Sequence, residues 1–307
     1  MYSNRKIDAK LIAVIGPTGT GKTTFVNLVS GGKLKVGDGL ESCTDSMQLA
    51  QCVISGANVT LIDTPGFDDT SKSQAEILKD IAHFLEKMYE RGRKLSGMIY
   101  LHRISDNRVG GIARENFRLF TKICGRGAMK NVLIATTMWE EVSEEVGASR
   151  EQELESKATF FKDAISQGAR MKRHHNNASS ALDIMRYFID RSPEVLQMQH
   201  ELVDEHKKVP ETAAGLELKL GLEQQEVKHT AAMQRLRQEL ESVIEQRDTH
   251  HRQELSEIQE EYRKMEQRLA NVQDEMRRLR EERRKPKVIY LIQKKSIMGC
   301  LRDSFLT

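Results

Sequence analysis

What this sequence lacks narrows it first. Its four cysteines, Cys43, Cys52, Cys124 and Cys300, are scattered without a C-x-x-C pair, and no histidine stands at metal-ligand spacing from them. That excludes a disulfide framework or a zinc cluster and leaves reduced, mostly buried thiols. No apolar run approaches the roughly 20 residues that a membrane-spanning helix needs, and the apolar stretch at 11–15 is too short for a signal-peptide core. Neither sign of charge dominates: the net charge is +3, which makes no electrostatic case for nucleic acid. Aromatic residues make up 5% of the 307 residues and charged residues 30%, with the charge gathered in the C-terminal third. A globular part followed by an extended helical part is expected from that imbalance. No transferase, protease or redox constellation is visible. The expectation is a cytoplasmic protein with neither nucleic acid nor membrane as a partner.

What is present begins at residue 16. Gly16, Pro17, Thr18, Gly19, Thr20, Gly21, Lys22, Thr23 and Thr24 follow a short apolar run and precede apolar residues at helical spacing. They fit G-x-x-x-x-G-K-[ST] in the order strand, tight loop, helix, which is the phosphate-binding loop. Backbone N–H groups of such a loop converge on an anion, and the helix dipole adds to them. Lys22 is placed to reach the β- and γ-phosphates and Thr23 to ligate Mg²⁺. Further on, 49–55 and 57–62 read as a hairpin joined near Gly56, and the second strand runs into Asp63-Thr64-Pro65-Gly66-Phe67. An acidic residue leaving a strand into a D-x-x-G turn complements the phosphate loop. Asp63 would hold Mg²⁺ through water and the Gly66 N–H would sense the γ-phosphate.

Apolar periodicity then predicts helices over 73–93, 113–124, 151–167 and 179–190, with strands at 95–101, 132–135 and 169–173. This alternation argues for an α/β fold, a three-layer domain with a mostly parallel sheet, spanning 8–192. Residues 102–108, HRISDNR, follow a strand on the edge where ligands bind in open α/β sheets. His102, Arg103 and Arg108 are therefore candidates for a dimer contact or a catalytic cation, or for loop hydrogen bonding. Trp139 packs either near a bound base or as a cap on its strand. His174 and the asparagines after it are expected to form the last loop near the base.

GPTGTGKTT, ESCTDS around Thr44, DTPGF, IYLHRISDNRVGG and TTMWEE resemble the septin-like and immunity-associated branch of P-loop GTPases, most nearly fungal G-domain proteins, over residues 10–190. The resemblance implies a GTPase fold, GTP and Mg²⁺ as cofactors, and dimerisation through the nucleotide-binding face. It implies that Thr44 closes over the γ-phosphate and its Mg²⁺, so that the metal set is Thr23, Thr44 and Asp63 and the catalytic set Lys22, Thr44 and Gly66. It also places Thr137 and Glu140 in the base-reading motif. Glu140 departs from the usual aspartate there, Met138 stands in place of a lysine, and Phe67 stands where Ras-like enzymes carry a water-positioning glutamine. Slow hydrolysis is expected, with the hydrolytic residue unidentified.

Beyond 192 the character changes. Leu255, Ile258, Tyr262, Met265, Leu269, Val272, Met276 and Leu279 step by three and four, the seam of a left-handed coiled coil. Met233, Leu236, Leu240 and Val243 follow the rule one residue out of phase, and Arg247, His250 and His251 interrupt it. The expected division is a helical linker at 193–230, a coiled coil at 231–285 and a basic, flexible tail at 286–307. Self-association through the seam is favoured over a single helix folding back on the α/β domain. The functional expectation is a Mg²⁺-dependent GTP-binding switch or assembly protein, a homo-oligomer that hydrolyses GTP slowly. The alternatives are a non-hydrolysing scaffold and an ATP-binding protein.

Overall fold

The computed structural model describes residues 9–32, 34–35, 47–67, 72–106, 111–245 and 252–281. Thr44, Arg108, Cys43, Cys300 and the 286–307 tail lie outside the described residues.

Strict alternation organises the centre. In β1 (Lys10–Ile15) the side chains of Leu11, Ala13 and Ile15 enter one buried cluster, while Ile12 and Val14 enter another. The same split recurs in β5 (Gly97–Arg103) and β6 (Val132–Thr137), where Met98, Tyr100, Val132 and Ile134 face the first cluster and Ile99, Leu101, Leu133 and Ala135 the second. Strands buried on both faces need cover on both, and fully burying each such aliphatic side chain stabilises by about 1.5–3 kcal/mol. One face is covered by α1 (Lys22–Ser30) and α6 (Ala178–Ile189), through Phe25, Val26, Ile184, Met185 and Phe188. The other face is covered by α2 (Gln74–Glu90) and α3 (Gly111–Cys124), among others.

The described residues form a seven-stranded sheet in the order β2-β3-β4-β1-β5-β6-β7, with β2 (Leu34–Lys35), β3 (Gln48–Ile54), β4 (Ala57–Asp63) and β7 (Arg170–Arg173). β2–β3 and β3–β4 are antiparallel pairs, and β4, β1, β5, β6 and β7 run parallel. β1 sits between β4 and β5, so the loop that leaves β1 and the loop that leaves β4 emerge side by side. That adjacency brings 16–24 and 63–67 together.

The single helix expected over 151–167 is two: α4 (Glu144–Ser156), capped by the Ser143 hydroxyl, and α5 (Lys162–Ser166). A one-turn helix α7 (Gln197–Gln199) continues as a π-turn over His200–Asp204.

The C-terminal third departs most from expectation. α8 (Ala213–Glu245) runs straight through the expected 230/231 boundary, and α9 (Arg252–Arg280) returns antiparallel along it, with Gln273 Nε2 donating to Glu226 Oε1 at 3.2 Å. Val272, Met276 and Leu279 are buried in the same core as α2, α3 and the first turns of α8 (Ala214, Leu218, Leu222). This part of the seam, expected to join a second chain, is covered within the chain itself. Tethered a few residues away, α8 meets α9 at an effective concentration that a separate chain rarely matches. The helical third and the 8–192 unit therefore share one core. Among the described residues, no helix is long and apolar enough to cross a membrane.

Candidate nucleotide-binding site

The loop between β1 and α1 is shaped by glycines and closed by its own lysine. Gly16 is buried against β5, where an added Cβ would lie 2.6 Å from the Leu101 carbonyl oxygen. Gly19 and Gly21 take φ of +78° and +85°, the left-handed region that L side chains avoid. Lys22 Nζ donates to the carbonyls of Gly16 (2.8 Å) and Pro17 (2.9 Å), and the Thr20 hydroxyl donates to Pro17 O at 2.8 Å. Helix α1 opens on Gly21 with no side-chain cap and no acidic residue in its first turn. By contrast, side chains of Ser73, Ser143 and Asn177 cap α2, α4 and α6. The α1 N-terminus thus keeps its N–H groups and positive dipole end for an anion.

The second loop meets the first at Thr23 and Asp63. The Thr23 hydroxyl donates to Asp63 Oδ2 at 2.7 Å. Asp63 Oδ1 is buried and has no hydrogen-bond partner among the described residues. Burial pushes the Asp63 carboxyl above the ordinary aspartate range, opposed by the Thr23 hydrogen bond and the Lys22 charge. A buried carboxylate oxygen lacking a partner is costly unless something occupies it, and a hydroxyl beside a carboxylate is the hard oxygen donor pair that Mg²⁺ takes. Thr23 and Asp63 are the residues that fit a metal ion here. Thr64 anchors the second loop to β1, donating through its N–H (3.3 Å) and its hydroxyl (2.9 Å) to Val14 O. Gly66 and Phe67 follow, both buried.

The expected base-reading residues separate into different roles. Thr137 is buried, and its hydroxyl lies 3.1 Å from the Thr20 carbonyl and 3.3 Å from that of His102. It braces the phosphate loop from below through that hydroxyl. Met138 takes φ of +58° and lies over the loop, its Cε 3.8 Å from where a Cβ on Gly21 would sit. Glu140 is exposed in the 3₁₀ turn Trp139–Glu141. Trp139 is a strand cap: it is buried, its Nε1 donates to Thr136 O at 3.1 Å, and the Arg173 guanidinium covers its ring at 4.0 Å. Arg173 in turn binds Glu151 (2.6 Å) and Glu144 (2.6 Å), which ties β7 to α4 beside Trp139. Sequence reasoning missed this clamp, because its carboxylates lie on α4 and nothing local pairs them with β7.

Arg103 and His102 also part company. Arg103 pairs with Asp106 at 3.0 Å, and its Nη1 lies 3.3 Å from the Cβ position of Gly19, at the edge of the phosphate loop. His102 is 3% exposed, edge-on to Phe161 at 5.3 Å. Burial, with the Arg103 charge beside it, pushes its pKa down to about 4. A buried neutral imidazole is no dimer contact and no catalytic cation. His174 is likewise pushed down to about 4 by burial, with Nδ1 2.9 Å from the Ser180 hydroxyl.

These histidines set an acid limit on the fold. With the folded pKa of His102 below the unfolded value near 6.5, the unfolded chain takes up the proton first. The stability is present above about pH 6.5 and is lost as pH falls toward 4, by about 3 kcal/mol for His102 at 1.36 kcal/mol per unit. Urea midpoints measured between pH 7 and 4.5 should fall more steeply in the native protein than in His102→Gln. Equal slopes would refute the assignment.

Comparison with known proteins agrees with this geometry. A family model described as 50S ribosome-binding GTPase matches residues 11–109, the stretch that carries both phosphate motifs. That stretch belongs to a P-loop GTPase G domain. The chain is 30% identical over 128 residues to Translocase of chloroplast 90, chloroplastic, from Arabidopsis thaliana, covering 41% of this chain and 16% of that one. It is 27% identical over 126 residues to GTP-binding protein A from Dictyostelium discoideum, covering 41% of this chain and 27% of that protein. The match thus spans well under a third of either relative. Among solved structures, Toc33 from Arabidopsis thaliana in complex with Mg²⁺ and GMPPNP shares 20% identity with a TM-score of 0.43, over 56% of this chain and 72% of that one. The α/β core with its mostly parallel sheet contains that stretch, and α8 and α9 pack onto it.

Proposed function

We propose that this chain is a Mg²⁺-dependent GTP-binding switch of the septin-like kind that hydrolyses GTP slowly. The observation that carries the reading is the meeting of Thr23 and Asp63, with the orphaned Asp63 Oδ1, beside Lys22 and the uncapped start of α1. Lys22 turns from the Gly16 and Pro17 carbonyls to the β- and γ-phosphates, and the loop N–H groups hold the remaining oxygens. Thr23 and Asp63 would hold the Mg²⁺, which would neutralise charge on the phosphate oxygens. The Gly66 N–H would meet the γ-phosphate, and Thr44 would serve as the switch threonine. Phe67 is 1% exposed within the core, so its position supplies no side chain to orient a water, in keeping with slow turnover. A second copy across the nucleotide face, with Arg103 at the loop edge, is the form in which a further cation reaches the phosphates.

Glu140 takes the base-reading role, accepting from guanine through a side chain one methylene longer than aspartate. Titration with fluorescent GTP and ATP analogues in Mg²⁺ tests this reading. The expected result is GTP preferred over ATP, with the preference reduced roughly 10-fold or more in Glu140→Ala, the range for losing a charged hydrogen-bond partner. An unchanged preference in that variant would point to an ATP-binding protein. No phosphate release in single turnover would leave a non-hydrolysing scaffold.

A further inference from the structure

Several surface cations of this chain are laced to acids. Lys72 pairs with Asp80 at 2.9 Å, Lys172 with Asp183 at 2.6 Å and Arg263 with Glu260 at 2.9 Å. Helix α3 is different. Its exposed face carries Arg114, Arg118 and Lys122 at steps of four, and Arg126 follows one step further in the 3₁₀ turn Arg126–Asn131. Like charges at that spacing lie side by side on a helix and destabilise it. Arg118 has one loose partner, its Nε 3.6 Å from Glu217 Oε1. Arg114, Lys122 and Arg126 pair with no acid among the described residues. The whole chain has a net charge of only +3, so the stripe is a local concentration of charge.

The stripe is one wall of a groove of about 750 Å³ that runs between α3, the 3₁₀ turn, α5 and α8. Lys228, exposed on α8, adds a further cation to it. The acids of the groove are Glu115 and Asp163, and Glu115 Oε2 accepts from Gln225 at 3.4 Å. Half-buried Phe160 gives the groove an apolar part, beside buried Phe117 and Met129. A recess with both charge and apolar surface takes an inserted chain, whereas a lipid headgroup plane meets protruding charge.

The spacing narrows the occupant. Four residues of α-helix rise by about 6 Å, and two residues of extended chain by about 6.6–6.8 Å. Acidic side chains at alternate positions of an extended segment point the same way, and so would meet Arg114, Arg118 and Lys122 in turn. A contiguous acidic run turns half of its charges away.

We propose that this groove binds an extended acidic segment of a partner protein, with Asp or Glu at alternate positions, along Arg114, Arg118, Lys122 and Arg126. The groove shares no residue with 16–24 or 63–67, so the proposal stands apart from the GTP-binding reading.

The test titrates the full chain, by fluorescence anisotropy, with a labelled synthetic peptide that carries glutamate at alternate positions. Two further peptides accompany it: an isomer whose glutamates are contiguous, and a version with glutamine in their place. The alternating peptide should bind roughly 3-fold or more tightly than its isomer, and the glutamine peptide should not bind. Lys122→Glu should weaken the alternating peptide roughly 10-fold, because reversal exchanges attraction for repulsion. Arg126→Glu, placed outside the helix, should do the same and stands in if a thermal melt shows Lys122→Glu unfolded. Arg186→Glu makes an equal reversal on exposed α6, across the sheet, and should change affinity by less than about twofold. Equal affinity for the two isomers, or equal weakening in Arg186→Glu, would overturn the proposal by reducing it to diffuse charge attraction. Lys122-dependent binding of phosphatidylserine vesicles or an RNA oligomer, with no binding of the peptide, would overturn it in favour of a lipid or nucleic acid. Sedimentation showing a dimer that Lys122→Glu abolishes, again with no peptide bound, would give the groove to a second copy of the chain.

Discussion

Lys22→Ala is expected to bind Mg²⁺·GTP about 100-fold or more weakly than the native chain, a loss of about 2.7 kcal/mol. Lys22 Nζ lies within hydrogen-bond distance of two loop carbonyls, so the ammonium already sits at the mouth of the loop whose N–H groups converge on the phosphates. Losing it removes the cation of the loop and leaves the backbone cradle to act alone. The fold should survive. The hydrogen bonds from Lys22 to the Gly16 and Pro17 carbonyls contribute about 0.5–1.5 kcal/mol each, and water can replace them at a half-exposed site. Calorimetric titration beside a thermal melt checks both halves. Affinity within threefold of the native chain would show that the loop does not hold a triphosphate. A collapse of the melt would show that Lys22 is a structural brace.

The second large effect concerns stability alone. Gly97 opens β5 beneath Phe188, and an added Cβ would lie 2.1 Å from Cδ1 and 2.3 Å from Cε1 of that ring. Phe188 is fully buried between the sheet and α6, so neither ring nor strand has room to give. Gly97→Ala should cost about 3 kcal/mol, the upper part of the range for overpacking a core. At roughly 2–4 °C per kcal/mol, the melting temperature should fall by several degrees. Phe188→Leu removes the obstructing ring edge, so the double variant should be more stable than the sum of the two losses allows, by about 1 kcal/mol or more. Strict additivity would mean that the strand shifts to accept the methyl and that the ring is not the constraint.

How much of this was legible beforehand depends on the distance over which each feature is encoded. The phosphate loop, the D-x-x-G turn and most of the alternating strands and helices are local patterns and appear where the pattern places them, the helix expected over 151–167 being the exception. Thr23 and Asp63 meet as expected, because parallel neighbours β1 and β4 deliver both loops to one sheet edge. Thr137, His102 and Trp139 were placed correctly along the chain, with the roles of His102 and Trp139 left open between alternatives. A strand's end tells which edge a residue occupies and does not tell whether its side chain turns inward. The coiled-coil seam was legible as an apolar stripe, yet a stripe does not name its partner. α8 and the G domain took that place because they are tethered to it.

By itself, then, the sequence determined a P-loop G domain followed by amphipathic helices, since those signals repeat within a turn or a strand and depend on nothing distant. Only the tertiary structure decided that Thr137 braces the phosphate loop, that Arg173 clamps Trp139, and that Glu275 caps the helix leading from Gly66. Each of these is a contact between groups far apart in sequence, and such contacts come into being only when the sheet and the returning helix bring their ends together.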